Sequence, residues 1–440
     1  MIVDSDAAVG YSTDWTGRHH GPVDAVVRPA STAEVTSVLA LCSRRGVVVI
    51  PQGGNTGLVG GGVAGRRELG PVVILSAARL QRLDPVDDLS GTVTAGAGIT
   101  LAGIHAHVQG TGWRYPVDFG ARDRATLGGM IATNAGGARA ARFGSTRARL
   151  IGIEAVLADG TVVGHLNRPS KDNTGYDLAG LLCGSEGTLG VVTAATVSLV
   201  ATPRHRSTAL VWMTGLRESV ALGVGLRRSV GAVEAVEFLD GACIDALAEA
   251  GRRVQPSARS ALLVEAGADV DPTDVLARAI EGQPGVSSVS VATDDRSAAE
   301  LWELREAVPE VIRQMGIPLK VDVAVPLPRL GEVLDLLPSV VGAVDPDARL
   351  FRFGHGGDGN IHVNIIGALD RRRLIDSVLQ LVVGVGGTIS AEHGVGVDKT
   401  DLLGLVRSPA ELDAFAAIKS ALDPDGLLNP GVIVGQAGIH

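Results

Sequence analysis

The 59 glycines of this 440-residue chain are unevenly spread. Many gather in three short segments within residues 51–190: Pro51-Gln-Gly-Gly-Asn-Thr-Gly-Leu-Val-Gly-Gly-Gly-Val63, Thr126-Leu-Gly-Gly-Met-Ile-Ala-Thr-Asn-Ala-Gly-Gly137 and Gly184-Ser-Glu-Gly-Thr-Leu-Gly190. Glycine lets backbone approach backbone, or a ligand, more closely than any other residue. The first segment follows an apolar run and offers successive N–H groups to an anion. It lacks the Gly-Lys-Ser/Thr ending of a triphosphate loop. It also lacks a convincing G-x-G-x-x-G turn with an acidic residue at the end of the next strand, so nucleotide hydrolysis and a Rossmann NAD site are both disfavoured. Three such segments so close together point to backbone packed around one large ligand. A dinucleotide has the required length, its pyrophosphate taking the N–H donors.

The chain is too long for one ordinary core, so two or three domains are expected. With 45% hydrophobic but only 3% aromatic residues, those cores must be built from Ala, Val, Leu and Ile. A net charge of −9 and few rings argue against nucleic acid, which needs basic grooves and stacking surfaces. Cys42, Cys183 and Cys243 are odd in number and far apart, which disfavours a disulfide frame and fits a reducing cytoplasm. Residues 1–6 show neither the basic nor the apolar part of an export signal. The longest uncharged run, 187–203, is too short and too broken for a bilayer span. No transmembrane segment is expected, and peripheral association at the inner membrane stays open.

Ser31-Thr-Ala-Glu34 predicts a capping box, ahead of a helix with Val35, Val38, Leu39 and Cys42 on one face and Gly46 at its end. A strand over 47–50 should break at Pro51. Further strands are expected at 72–75, 92–95 and 153–157, with helices near 101–108 and 126–135. After Pro203 the composition shifts. Strands at 261–265, 286–291 and 319–325 alternate with longer helices, the clearest over 298–315. The fold class is α+β, with a boundary near 204–207.

Two clusters in the last quarter carry chemistry: His355-Gly-Gly-Asp-Gly-Asn-Ile-His362 and Ser390-Ala-Glu-His-Gly-Val-Gly396. Three imidazoles and a carboxylate in glycine-rich settings form the ligand set of a divalent metal, with one nitrogen to spare. A spare imidazole could take a proton from a coordinated hydroxyl. The other histidines (His19, His20, His105, His107, His165, His205 and His440) read as structural hydrogen-bonding residues.

The glycine segments, the run from Pro116-Val-Asp-Phe-Gly-Ala to Asn134-Ala-Gly-Gly137, and Lys171-Asp-Asn-Thr-Gly-Tyr-Asp177 together resemble the FAD domain of the vanillyl-alcohol-oxidase (PCMH) type flavoproteins. Within these, the chain is similar to the FAD-linked D-2-hydroxyacid dehydrogenases, from about Asp14 to Gly431. The resemblance implies an FAD-binding domain over 1–203 and an α+β substrate (cap) domain with the metal site over 204–421. A C-terminal helical segment, 422–440, would return to the flavin. It implies FAD held by Pro51, Gly53, Gly54, Asn55, Thr56, Gly57, Pro116, Thr126, Gly129, Thr133, Asn134, Gly137, Glu186, Val192 and Asn429. Asn55 stands where covalently flavinylated relatives often carry histidine, so the FAD should be non-covalent. Gly128-Gly129-Met130 replaces the family's usual Gly-Gly-Asn, removing one side-chain hydrogen bond.

The same resemblance assigns His355, His362 and Glu392 to a divalent metal (zinc first, with manganese, cobalt or iron as alternatives) and His393 to the role of general base. The implied reaction is base-assisted hydride transfer from C2 of a D-2-hydroxyacid to flavin N5, with a separate electron acceptor: an electron-transfer flavoprotein, a quinone or a cytochrome. Arg305, Lys320 and Asn364 match substrate-binding positions. Pro309 stands where hydroxyglutarate-oxidising relatives often place a hydroxyl residue, which weakens a dicarboxylate assignment. A homodimer is compatible with the chain. Two alternatives use the same scaffold: an alkylglycerone-phosphate synthase-like transferase and a non-catalytic flavin-binding oxidase subunit. The adjacent Glu392 and His393, and the absence of an apolar docking stretch, favour the dehydrogenase.

Overall fold

Ser31 opens the first long helix, but through half of the predicted capping box. Its Oγ accepts the N–H of Glu34, while the Glu34 carboxylate accepts the N–H of Ala30 rather than that of Ser31. The helix, Thr32–Arg45, buries Val35, Leu39 and Cys42 and stops where Gly46 adopts a φ of 62° and donates back to the carbonyls of Cys42 and Ser43. These features come from a computed structural model, which describes residues 1–65, 69–167, 169 and 171–435. His440 and the end of the predicted 422–440 segment lie outside the described residues.

The chain divides into two units. The first comprises Met1–Gly137, Gly144–Thr202 and Glu392–His440; the second comprises Ala138–Phe143 and Pro203–Ala391. The chain thus re-enters the first unit at Glu392, upstream of the return at 422 that the family likeness implies.

In the first unit, strand Val48–Gln52 runs through Pro51 instead of stopping before it. It is the edge of a three-stranded parallel sheet, in the order Ala25–Val27, Val72–Ser76, Val48–Gln52. The N–H of Val49 points off that edge to Leu427 O, and the nitrogen of Pro51, two residues on, faces the same way. No ladder bond is lost, which is why proline is tolerated there. A four-stranded antiparallel sheet follows the order Thr92–Gly96, Val191–Ser198, Leu150–Val156, Val162–Val163. One core joins these elements through Leu39, Ile104, Leu127, Ile131, Ile153 and Leu428.

The C-terminal stretch is tied down by a buried ion pair. Lys419 Nζ donates to the Asp423 carboxylate and to the carbonyls of Thr188 and Leu428, and Asp423 accepts the N–H groups of Leu427 and Leu428. Its turn-rich composition therefore builds a satisfied buried knot.

The second unit is built on one seven-stranded antiparallel sheet. Its order is Val286–Val291, His205–Met213, Ser260–Ala268, Val233–Asp240, Arg349–His355, Asn360–Ile366, Leu319–Ala324. Strand Val286–Val291, predicted as an apolar strand, is an edge with most side chains exposed. Helices Gly241–Glu249 and Asp295–Gln314 cover one face through Leu210, Leu263, Val308, Ile312 and Phe351. Helix Leu216–Ser229 packs on Val233–Asp240, and helices Leu330–Val344 and Arg371–Gly384 pack in the same group. No helix among the described residues is long and apolar enough to cross a membrane.

Candidate active site

In the first unit, the glycine segments meet each other directly. A Cβ added at Gly53 would lie 2.4 Å from Thr126 Oγ1, and one at Gly54 would lie 1.7 Å from the carbonyl oxygen of Arg124. At Gly137, with φ 112°, a Cβ would lie 2.1 Å from Asp118 O. Gly57 differs: a Cβ there would meet nothing within 4 Å among the described residues. The N–H groups of Gly54, Asn55, Thr56 and Gly57 find no acceptor among the described residues. Four consecutive unclaimed donors, on a loop half-buried at Gly54, Asn55 and Thr56 and exposed at Gly57, are what a pyrophosphate requires, so this cradle fits FAD. The second segment forms helix Leu127–Thr133, capped by Thr126, whose Oγ1 accepts the N–H of Gly129; Thr133 Oγ1 donates to Gly129 O. Pro116 and Val192 are buried beside this core.

Backbone geometry singles out the same residues. Among the described residues, the non-glycine residues with positive φ are Asn55, Asn134, Glu186, Asn429 and Ile433, of which all but Ile433 belong to the proposed flavin set. Such conformations persist only where the surroundings fix them. Asn55 Nδ2 donates to Thr13 O, and Asn134 Oδ1 accepts from Ser145 Oγ and the N–H of Arg147. Asn429 Nδ2 reaches the carbonyls of Gly61 and Glu186, both at 2.8 Å.

Glu186 fastens the turn that carries Glu392 and His393. Its carboxylate accepts the N–H groups of Val395 at 2.7 Å and Gly396 at 2.8 Å. Burial pushes its carboxyl pKa up, against these hydrogen bonds and the charge of Lys399. Gly394, at φ 82°, leaves the space the carboxylate needs: a Cβ would stand 2.8 Å from Glu186 Oε1. The turn is also held by Val397 N–H to Val59 O, and by Asp398, which pairs with Arg18 and with His19 Nε2. His19 pairs with Asp398, and His105 and His107 make structural hydrogen bonds to the carbonyls of Val117 and Asp84.

In the second unit, strand register assembles the polar residues. His362 lies opposite both Phe353 and Asp322, Asn364 opposite Lys320, and His355 opposite both Glu237 and Asn360. Residues two apart share a face, so His355, His362, Asn364, Lys320, Asp322 and Glu237 stand on one side of the sheet. The imidazoles of His355 and His362 lie with centroids 5.3 Å apart, edge to face. His355 Nδ1 is 2.5 Å from Glu237 Oε1, and His362 Nδ1 is 3.1 Å from Asp322 Oδ1. A carboxylate beside Nδ1 holds the proton there and leaves the Nε2 lone pair for a metal, so this donor set fits ligation through Nε2.

Arg305 is buried on helix Asp295–Gln314, its Nε 2.9 Å from Glu237 Oε2 and its guanidinium over the Phe353 ring. Pro309 lies one turn further along that helix. Lys320 keeps its side chain exposed, while Asn364 is buried. Nearby, Glu265 accepts from Arg139 and from Trp302 Nε1.

Sequence reasoning missed Glu237, Asp322 and Glu265. Their signal was present: each is a carboxylate inside an apolar strand, a position held only by a paired charge.

Residues 23–164 match the family described as FAD binding domain, and residues 202–433 match FAD linked oxidases, C-terminal domain. A mitochondrial D-2-hydroxyglutarate dehydrogenase of Bos taurus is 34% identical over 443 residues, covering 98% of this chain and 80% of that protein. A D-2-hydroxyglutarate dehydrogenase of Xanthomonas citri pv. viticola is 34% identical over 437 residues, covering 96% and 91%. Among solved structures, p-cresol methylhydroxylase superposes with a TM-score of 0.78 at 16% identity, covering 99% of this chain and 94% of that one; it shares the fold. Two family matches that together span most of the chain, and relatives one-third identical along nearly all of it, make this protein a member of the FAD-linked oxidase family that includes the D-2-hydroxyglutarate dehydrogenases, and an FAD-linked oxidoreductase with the PCMH-type α+β fold.

Proposed function

We propose that the protein is a divalent-metal-dependent dehydrogenase that oxidises a D-2-hydroxyacid to the 2-oxoacid and passes the electrons to a separate acceptor. The observation that carries this reading is the polar face of the second unit, where two carboxylate-backed imidazoles share one side of the sheet with Arg305, Lys320 and Asn364. The named relatives act on D-2-hydroxyglutarate, and D-lactate, glycolate and D-2-hydroxyglutarate are all candidates here. Pro309 offers no hydroxyl to a second carboxylate.

His355, His362 and Glu392 would hold the metal, zinc first; Glu392 directly follows Ala391, whose N–H is fixed by Asp322 Oδ2. When bound, the metal supplies the positive charge that eases deprotonation of a hydroxyl, and non-covalent FAD supplies the hydride acceptor. Arg305 and Lys320 neutralise the substrate carboxylate, and Asn364 offers it a side-chain amide. A ring nitrogen of His393 takes the hydroxyl proton. The Pro51–Val63 loop, helix Leu127–Thr133, Glu186 and Asn429 would bind and orient the flavin. Three buried, unpaired cysteines suit a reducing compartment, and we place the protein in the cytoplasm.

The test is anaerobic titration of the purified flavoprotein with D- and L-2-hydroxyacids while the visible flavin spectrum is followed. Bleaching by a D-acid supports the reading and selects the substrate. A metal-loaded protein whose flavin no acid reduces would overturn it.

A further inference from the structure

Glu237 lies mid-strand in Val233–Asp240 and is 1% exposed, and both of its carboxylate oxygens are committed to residues of the candidate site. Oε1 takes His355 Nδ1 at 2.5 Å, and Oε2 takes Arg305 Nε at 2.9 Å. We propose that Glu237 is a positioning residue that couples metal retention to recognition of the substrate carboxylate, by orienting a metal-binding imidazole and the substrate-binding guanidinium with one side chain. This rests on the roles given above to His355 and Arg305.

The two bonds do different work. On the imidazole side, the carboxylate fixes the tautomer and ring plane of His355 and raises the basicity of Nε2. On the guanidinium side, it occupies Nε and so leaves the Nη groups for a second anion. The Phe353 ring, 4.9 Å from the guanidinium carbon, sets the plane of that fork. A shift of Glu237 towards one partner lengthens its bond to the other, so neither can reorient alone. Asp322 has a narrower reach: it orients His362, Asn360 and the N–H of Ala391, with no bond to Arg305 among those described.

The experiment uses the full-length flavoprotein, with Zn²⁺ titrated against a chromophoric chelator and KM measured at saturating Zn²⁺. Glu237→Gln keeps the shape but presents an amide NH₂ to one of two donors. It should weaken Zn²⁺ retention about 10–100-fold and, with the metal restored, still raise KM for the hydroxyacid. Arg305→Lys, which changes no proposed ligand, should also weaken Zn²⁺ retention, and the double variant should lose less than the sum of the two. The Arg305→Lys arm stands even if Glu237→Gln fails to fold. Zn²⁺ affinity untouched by Arg305→Lys, or additive losses in the double variant, would overturn the coupling. Wild-type protein that takes up no Zn²⁺ but reduces its flavin with substrate would instead overturn the metal reading beneath it.

Discussion

Asp322 and His362 face each other across strands Leu319–Ala324 and Asn360–Ile366, with Asp322 Oδ1 3.1 Å from the imidazole Nδ1. The second oxygen, Oδ2, holds the N–H of Ala391, the residue before Glu392. One buried carboxylate therefore orients a histidine and fixes the backbone that leads into Glu392-His393. Asp322→Asn should lower divalent-ion affinity about 10–100-fold while leaving the FAD content unchanged. Metal content after dialysis against a graded chelator series checks this.

Glu186→Ala removes the acceptor for two N–H groups in the His393 turn. Each buried amide left unsatisfied costs about 1–3 kcal/mol. A displaced turn should slow flavin reduction on the order of 100-fold. Stopped-flow reduction at saturating substrate, alongside Tm, separates the two effects; an unchanged rate would mean that the turn is held without Glu186.

Burial alone would raise the pKa of Glu265, but the charge and hydrogen bond of Arg139, with the bond from Trp302, outweigh it and hold the carboxyl below its usual value of 4.5. The folded value lies below the unfolded one, so this stabilisation is present above about pH 4.5 and is lost as the pH falls through the folded value. Glu265→Gln should flatten the acid limb of a Tm–pH curve. At neutral pH it should cost up to about 3–5 kcal/mol, because Arg139 loses its nearer carboxylate.

Two glycine substitutions should separate packing from binding. Gly54→Ala places a methyl 1.7 Å from Arg124 O, so the loops must part and both Tm and FAD affinity should fall. Gly57→Ala meets no atom of the described residues within 4 Å, so the apoprotein Tm should hold while FAD affinity drops. Thermal melts with and without FAD, together with flavin titration, read both effects.

Local structure was largely legible in the sequence. The Thr32–Arg45 helix and its glycine stop followed from side-chain period and capping, as did strand Val286–Val291 and most of helix Asp295–Gln314. Strand order was not, because pairing joins residues far apart in the chain. Nothing local says that Glu237 lies opposite His355, or that the N–H of Val49 points to Leu427 and so leaves room for Pro51 in an edge strand. The same gap hid the partners of Arg305, which alone reads as an ordinary helix charge. The left-handed backbone at Asn55, Asn134 and Asn429 suits their residue type; at Glu186 it is imposed by surroundings that the sequence does not display.

The first unit is made from both ends of the chain, and its core includes Leu428, beside the knot formed by Lys419 and Asp423. On a ribosome, which delivers the chain from its N-terminus, that core cannot close until the final stretch has emerged. The second unit, complete at Ala391, is available to fold earlier. The flavin-binding half of the molecule, although begun first, is therefore finished last, and a nascent chain stalled before Glu392 would hold a complete second unit beside an open first one.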